Sequence, residues 1–383
     1  MGTEAIAANL RRLRAAKGLT QERVAESAGI SKVAYRNLEG QKSLPRVDTL
    51  RQLAEALEVG IQELVTPTPE LRRVRFRSFR RLNTREQILQ AVSRRLADFN
   101  ELEQLLGEHA PFTLARGKRP NSRQAALAPP EAAAHARKLL GLKPKEPVRD
   151  ICGLLEANGI KVLPLKVASD AFFGLSVGEE DGGPAIAVNT WDRISVERWI
   201  FTAAHELGHL LLHFEDYDVE QRDEGQEQEK EANVFASYFL MPQEVFEQEW
   251  AETQGLAFVD RVLKVKRIFR VSYRTVLYRL SERMPGPELW RRFQLDYKQR
   301  TGRTLLKDEE PGAVAADAFR ASFPEHSRAR EPEDLSPLDF VEDRLFRLVR
   351  SAVDGAEISL ARGAEILGLS LVEMRQLAAS WVG

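Results

Sequence analysis

At 383 residues the chain is longer than one ordinary hydrophobic core supports, so two or three domains are expected. Hydrophobic residues make up 43% and charged residues 30%, a globular balance with no apolar run long enough for a membrane span, so no membrane partner is expected. The single cysteine, Cys152, excludes an intrachain disulfide framework, and with no apolar signal core near the start the expected compartment is a reducing cytoplasm.

A net charge of −1 conceals a strong asymmetry. Residues 1–82 carry sixteen Lys and Arg against nine Asp and Glu, whereas residues 215–231 carry nine acids against two bases. A basic first segment on a near-neutral chain points to a localised polyanionic partner.

Residues 4–65 read as short helices. Ile6, Leu10 and Leu13 recur at helical spacing before Gly18; Thr20 caps a second helix with Val24 and Ala25 on its apolar face. Gly29 breaks the chain, Ser31 caps a third helix that ends at Gly40, and Pro45 precedes a fourth containing Leu50, Leu53, Ala54 and Leu57. Two helices joined by a short Gly-containing turn make a helix-turn-helix unit.

TPTPE at 66–70 has linker composition, and RRVRFRSFRR (72–81) follows, with Phe76 and Phe79 between arginines. That stretch could clamp a nucleic-acid single strand by charge and stacking, or pack against a neighbouring domain. A long helix to about Gly107 and a Pro-, Gly- and Arg-rich loop over 111–130 come next. DICGLLEANGI reads as a helix that buries Cys152 as a structural thiol. Strands are expected over 160–165, 172–178 and 184–189, followed by a helix capped by Ser195, a second helix through KEANVFASYFL, and a helical remainder. Boundaries are therefore placed at 1–68 for the helix-turn-helix head, 69–129 for a basic helical linker, 130–295 for an α/β region and 296–383 for a helical C-terminal region.

The second of these helices follows HELGH, in which His205 and His209 stand at i and i+4, one turn apart on one helix face, within reach of a single tetrahedral zinc ion. Glu206 falls beside such a metal, where a carboxylate can take a proton from water and pass it to a leaving amine. A catalytic zinc needs a third protein ligand and an open position. On the next helix Glu229 and Asn233 share a face, so Glu229 is expected to bind the metal and Asn233 to support a ligand histidine, ahead of Glu231 and Glu227. Ala232, Phe235, Ala236 and Phe239 would form the core side. His213, another four residues on, could touch substrate, but reads more readily as an exposed residue at the helix end.

FTAAHELGHLLLH, followed by E-x-x-A-N-x-F-A and LMP, resembles the ImmA/IrrE family of zinc metallopeptidases over roughly residues 130–290. The upstream strands, with Gly174 before a short turn, match that layout. The resemblance implies a zincin-like domain, Zn2+ as cofactor and Glu229 as carboxylate ligand. It also implies a bacterial or phage-associated peptidase that cuts repressor proteins under stress such as DNA damage. The segment L-T-Q-E…G-I-S…L-E-G…L-A…L resembles the XRE family of lambda-repressor-like helix-turn-helix domains over about residues 5–65. In that geometry the third helix enters the major groove of operator DNA. Gln21, Lys32, Tyr35, Arg36, Asn37 and Gln41 are then the expected DNA contacts, and a homodimer on an inverted repeat is expected.

Tyr278 and Arg279 are placed near the cleft, and 357–380 reads as a small helical hairpin without a basic second helix, suited to packing or dimerisation. The fold expected is mainly α with a small β-sheet, an α+β chain with a helical head and helical C-terminal region. The function expected is a DNA-binding regulator with a zinc endopeptidase that cleaves a repressor, itself or a partner. The alternative is a repressor or antitoxin-type module whose peptidase-like domain senses a signal or partner without proteolysis.

Overall fold

A computed structural model describes residues 2–65, 71–78, 85–112, 114, 127–214, 217, 225–283, 287–306, 309–312 and 332–381. The chain divides into two units, residues 1–71 with 81–98, and residues 72–80 with 99–383. Among the described residues no helix is long and apolar enough to cross a membrane.

The first unit begins with α1 (Gly2–Ala16), α2 (Gln21–Ser27), α3 (Lys32–Glu39), α4 (Val47–Ala56) and α5 (Ile61–Val65). Thr20 and Ser31 each accept a hydrogen bond from the backbone three residues on, which satisfies otherwise orphaned first-turn N–H groups of α2 and α3. Gly18 and Gly29 sit at φ +63° and +64°, conformations that disfavour a side chain, and this is why each turn falls on a glycine. Ile6, Leu10, Leu13, Val24, Leu38, Leu53, Leu57 and Leu64 meet in one core. Asn9 fastens α1 to α5 by donating from Nδ2 to the Leu64 carbonyl at 3.0 Å.

In the second unit a four-stranded mixed sheet is built from β1 (Val74–Ser78), β2 (Lys161–Leu165), β3 (Phe172–Val177) and β4 (Ala185–Asn189), in the order β1-β3-β4-β2. β3 runs antiparallel to β1 and β4, while β2 and β4 are parallel. The three later strands fall where alternation and turn residues place them. β1 is a departure, because the stretch expected as a basic linker contributes an edge strand. Edge pairing to β3 supplies backbone partners that a local reading cannot see.

Between them in sequence come α6 (Arg85–Leu106), α7 (Pro129–Leu139) and α8 (Ile151–Glu156). Asp150 caps α8, and Cys152 is fully buried within it; burial pushes its thiol well up, as suits an inert core residue. α9 (Val196–Leu212) and α10 (Gln226–Leu240) pack together beside the sheet. Gly208 makes their approach possible, since a Cβ there would lie 2.9 Å from the Phe235 ring. Ala232, Phe235, Ala236 and Phe239 are all buried, as their spacing predicts. Among the described residues, α11 (Gln243–Ala251), α12 (Phe258–Phe269), α13 (Tyr273–Ser281), α14 (Glu288–Thr301) and α15 (Arg344–Asp354) come next. α16 (Leu360–Leu367) and α17 (Leu371–Ala379) follow, each capped by a serine.

Arg279 differs from its expected place near the cleft. It is buried, donates to the carbonyls of Ser237 and Met241 at 3.2 and 2.8 Å, and stacks on Tyr238. The guanidinium fork caps the C-terminal carbonyls of α10, a structural task that its position in sequence does not reveal.

Candidate metal centre and DNA-binding helix

α9 starts at Ser195, whose hydroxyl accepts from the Arg198 N–H, and nearly all of it from Val196 to Leu210 is buried. Helical spacing then places the Nε2 atoms of His205 and His209 2.9 Å apart. Glu229, from the first turn of α10, brings its carboxylate oxygens to 3.4 Å from His205 Nε2 and 3.0 Å from His209 Nε2. One ligand atom from each of these three residues lies within 4.8 Å of the others, a convergence of two imidazoles and a carboxylate that suits a divalent metal with nitrogen and oxygen preference.

Burial pushes the His209 imidazolium down to about 3, against the pull of the Glu229 carboxylate, so the ring is neutral at pH 7 and has a lone pair to offer. Burial alone would raise the Glu229 carboxyl, but hydrogen bonds from His205 and His209 outweigh it and hold the group well below the usual carboxylate range. Both directions favour the protonation states that ligate.

Each histidine is also gripped from behind. His205 Nδ1 faces Asn233 Oδ1 at 3.1 Å, which leaves Nε2 toward the centre. His209 Nδ1 lies 2.9 Å from His213 Nδ1, and His213 Nε2 lies 2.7 Å from Glu231 Oε2. His213 is therefore a buried link and not the exposed helix end expected of it. Its i+4 spacing from His209 was a visible signal; the partner Glu231, eighteen residues on, was not.

Glu206 is fully buried and turned toward the sheet. Its Oε2 accepts from Ser176 Oγ at 2.9 Å, and that hydroxyl lies 2.7 Å from the Tyr217 phenol. Burial raises the Tyr217 pKa well above its ordinary value, so the phenol stays protonated and can donate into this chain. Gly174 lies within β3, not before a turn, and a Cβ there would sit 2.6 Å from Thr202 Cγ2 and 3.2 Å from Glu206 Oε1. Its absence makes room for the carboxylate. Ser176 and Tyr217 carry no local signal in sequence, because strand pairing brings Ser176 to α9 and Tyr217 meets Ser176 at a separation of 41 residues.

In the head, Lys32, Arg36 and Gln41 are exposed on or just after α3, and Asn37 is partly exposed. Lys32 Nζ lies 3.2 Å from Glu22 Oε2 across the turn. Gln21 is partly buried and donates to Glu39 at 2.6 Å; Arg14 donates to the same carboxylate at 2.6 Å. Tyr35 corrects the expected contact set. It is fully buried, with its hydroxyl 3.5 Å from the Leu10 carbonyl, because position 35 falls on the face of α3 that packs against α1. A side chain in that core cannot read a base.

A helix-turn-helix family model matches residues 10–64. Over 65 residues the chain is 48% identical to an uncharacterized HTH-type transcriptional regulator, y4dJ, of Sinorhizobium fredii, an alignment covering 17% of this chain and 84% of the relative. The chain belongs to the helix-turn-helix transcriptional regulators. A second model, the IrrE N-terminal-like domain of a peptidase family, matches residues 155–281 and so takes in His205, Glu206, His209 and Glu229. This regulator therefore carries a metallopeptidase-like domain, and β1 lies outside both matched regions.

Proposed function

We propose that this regulator binds operator DNA through α3 and cleaves a repressor protein, itself or a partner, at a zinc centre held by His205, His209 and Glu229. The observation that carries the catalytic part is Glu206. Its carboxylate is fully buried one position after His205 on α9, and a serine hydroxyl donates to it. A domain that only sensed a ligand would have no use for a proton acceptor in that place. Zinc, when bound, supplies positive charge that polarises a peptide carbonyl and lets water ionise near neutral pH.

The chain's own residues do the rest. Glu206 takes the proton from the attacking water on its carboxylate and returns it to the leaving nitrogen. The Tyr217–Ser176 pair holds one oxygen of that carboxylate and so fixes its orientation. Asn233 orients His205, and His213 with Glu231 orients His209, so that neither ring must reorganise to present Nε2. On the DNA side, exposed Lys32 and Arg36 supply charge to phosphate or a base edge, and a dimer on an inverted repeat fits the lambda-repressor-like head. Stress such as DNA damage would then act as the trigger for cleavage.

The grip on a single strand expected of residues 72–81 finds less support. Arg75 is buried and the backbone of 74–78 is taken up in the sheet; Phe79 lies outside the described residues.

The test is incubation of the zinc-loaded chain with candidate repressors, followed by intact mass spectrometry. A defined cut by the parent is expected, with Glu206→Gln retaining zinc and losing about 10²–10⁴-fold in rate. Equal cutting by Glu206→Gln, or zinc binding without any cut, would favour the sensing role instead.

A further inference from the structure

Among the described residues β1 is the first strand after the helix-turn-helix segment, and contacts of Arg75 and of the preceding Arg73 reach toward the candidate centre. Arg75 Nη1 donates to Gln228 Oε1 at 2.6 Å, and Nη2 lies 3.5 Å from Glu229 Oε1. Arg73 Nη1 donates to the Tyr217 carbonyl at 3.2 Å. In the register of the sheet Arg75 stands opposite Ser176, the donor to Glu206. The strand is pinned at its start, where the backbone N–H groups of Arg72 and Arg73 both donate to Asp181 Oδ2.

Arg75 is 7% exposed, and its Nε and Nη2 have no hydrogen-bond partner among the described residues. A buried guanidinium with unmet donors is unfavourable unless a negative charge stands close by. Glu229 is that charge. Of the three candidate ligands among the described residues, Glu229 is the one not on α9, so its position depends on how α10 and β1 are held.

We propose that Arg75 is a positioning residue for the third metal ligand, so that metal occupancy and the docking of β1 on β3 stabilise each other. Arg75 fixes the first turn of α10 through Gln228 and offsets charge at Glu229, which leaves the carboxylate aimed at the two imidazoles. Because linkage is reciprocal, a metal that needs Glu229 in place also holds Arg75, and with it the strand. The strand that follows the DNA-binding segment is thereby part of the metal site, and whatever strips it from β3 weakens metal binding.

This inference rests on the metal-binding reading above, and the experiment separates the two. Zinc affinity of the full chain would be measured by competition with a chromophoric chelator for the parent, Arg75→Met, Arg75→Lys, Glu229→Gln and the Arg75→Met/Glu229→Gln double variant. Hydrogen exchange of amides 72–78 would be followed with and without zinc. Arg75→Met is expected to lose about 10–100-fold in affinity, as loss of an outer partner of a ligand does. Arg75→Lys should recover part of that loss, and the double variant should bind no more weakly than Glu229→Gln alone. Zinc should slow exchange over 72–78 in the parent and not in Arg75→Met. No zinc binding by the parent overturns the metal reading and this inference with it. Zinc binding by the parent with equal affinity in Arg75→Met, equal weakness in Arg75→Lys and Arg75→Met, additive losses in the double variant, or exchange over 72–78 indifferent to zinc overturns this inference alone.

Discussion

α3 and α9 begin alike and end as opposites. Each starts on a serine whose hydroxyl accepts from the first turn, yet α3 keeps Lys32 and Arg36 in solvent while α9 buries His205, Glu206 and His209 completely. Among the described residues that face of α3 stays open to solvent. The working face of α9 is tied, atom by atom, to α10 and β3. A surface that awaits a partner tolerates change at any one residue, whereas a buried centre couples every residue to its neighbours.

The sharpest break of that comparison is at Tyr35, where α3 behaves like α9. Tyr35→Ala should destabilise the head by about 3–5 kcal/mol, the range for deleting a buried aromatic. Denaturant unfolding of the full chain, with hydrogen exchange read over residues 2–65, would measure it. Tyr35→Phe should keep most of the stability and all of the DNA affinity. A selective loss of DNA binding in a stably folded Tyr35→Phe would return Tyr35 to the contact set.

His213 comes next. Removing it with His213→Ala leaves His209 Nδ1 without the neighbour that holds it, and zinc affinity should fall about 10–100-fold. Competition with a chelator reads the change. Affinity unchanged from the parent would mean that His209 is held by packing alone.

The smallest effect belongs to the exposed helix. Lys32→Ala should change stability by no more than about 0.5 kcal/mol, since its ion pair with Glu22 is open to solvent. Duplex binding should weaken evenly across sequences, and the salt dependence should lose about one unit of slope if Lys32 meets phosphate. Sequence-selective weakening would instead make it a base reader.

Much of this is legible in the sequence alone. The caps at Thr20, Ser31 and Ser195, the three later strands, the buried Cys152 and the apolar face of α10 all follow from spacing and turn chemistry. The convergence of His205, His209 and Glu229 was legible too, because it needs only one helix repeat and a second helix with an acidic first turn. What escaped were contacts made at long separation. Arg75 meets residues more than 150 positions away, Ser176 meets Glu206 at a separation of 30, and Arg279 closes the end of a helix 38 to 42 residues before it.

By itself the sequence determined most helices and the three later strands, where they start, and which residue types stand one turn apart, since capping, turn conformation and helical period are local physics. Only the tertiary structure decided what lies behind each of those residues. That His213 is buried and joined to Glu231, that Tyr35 belongs to a core, and that a stretch of arginines becomes a strand against the metal site depend on packing between distant segments. Exposure and charge pairing belong to the assembled surfaces of several elements, and no window of the chain contains them.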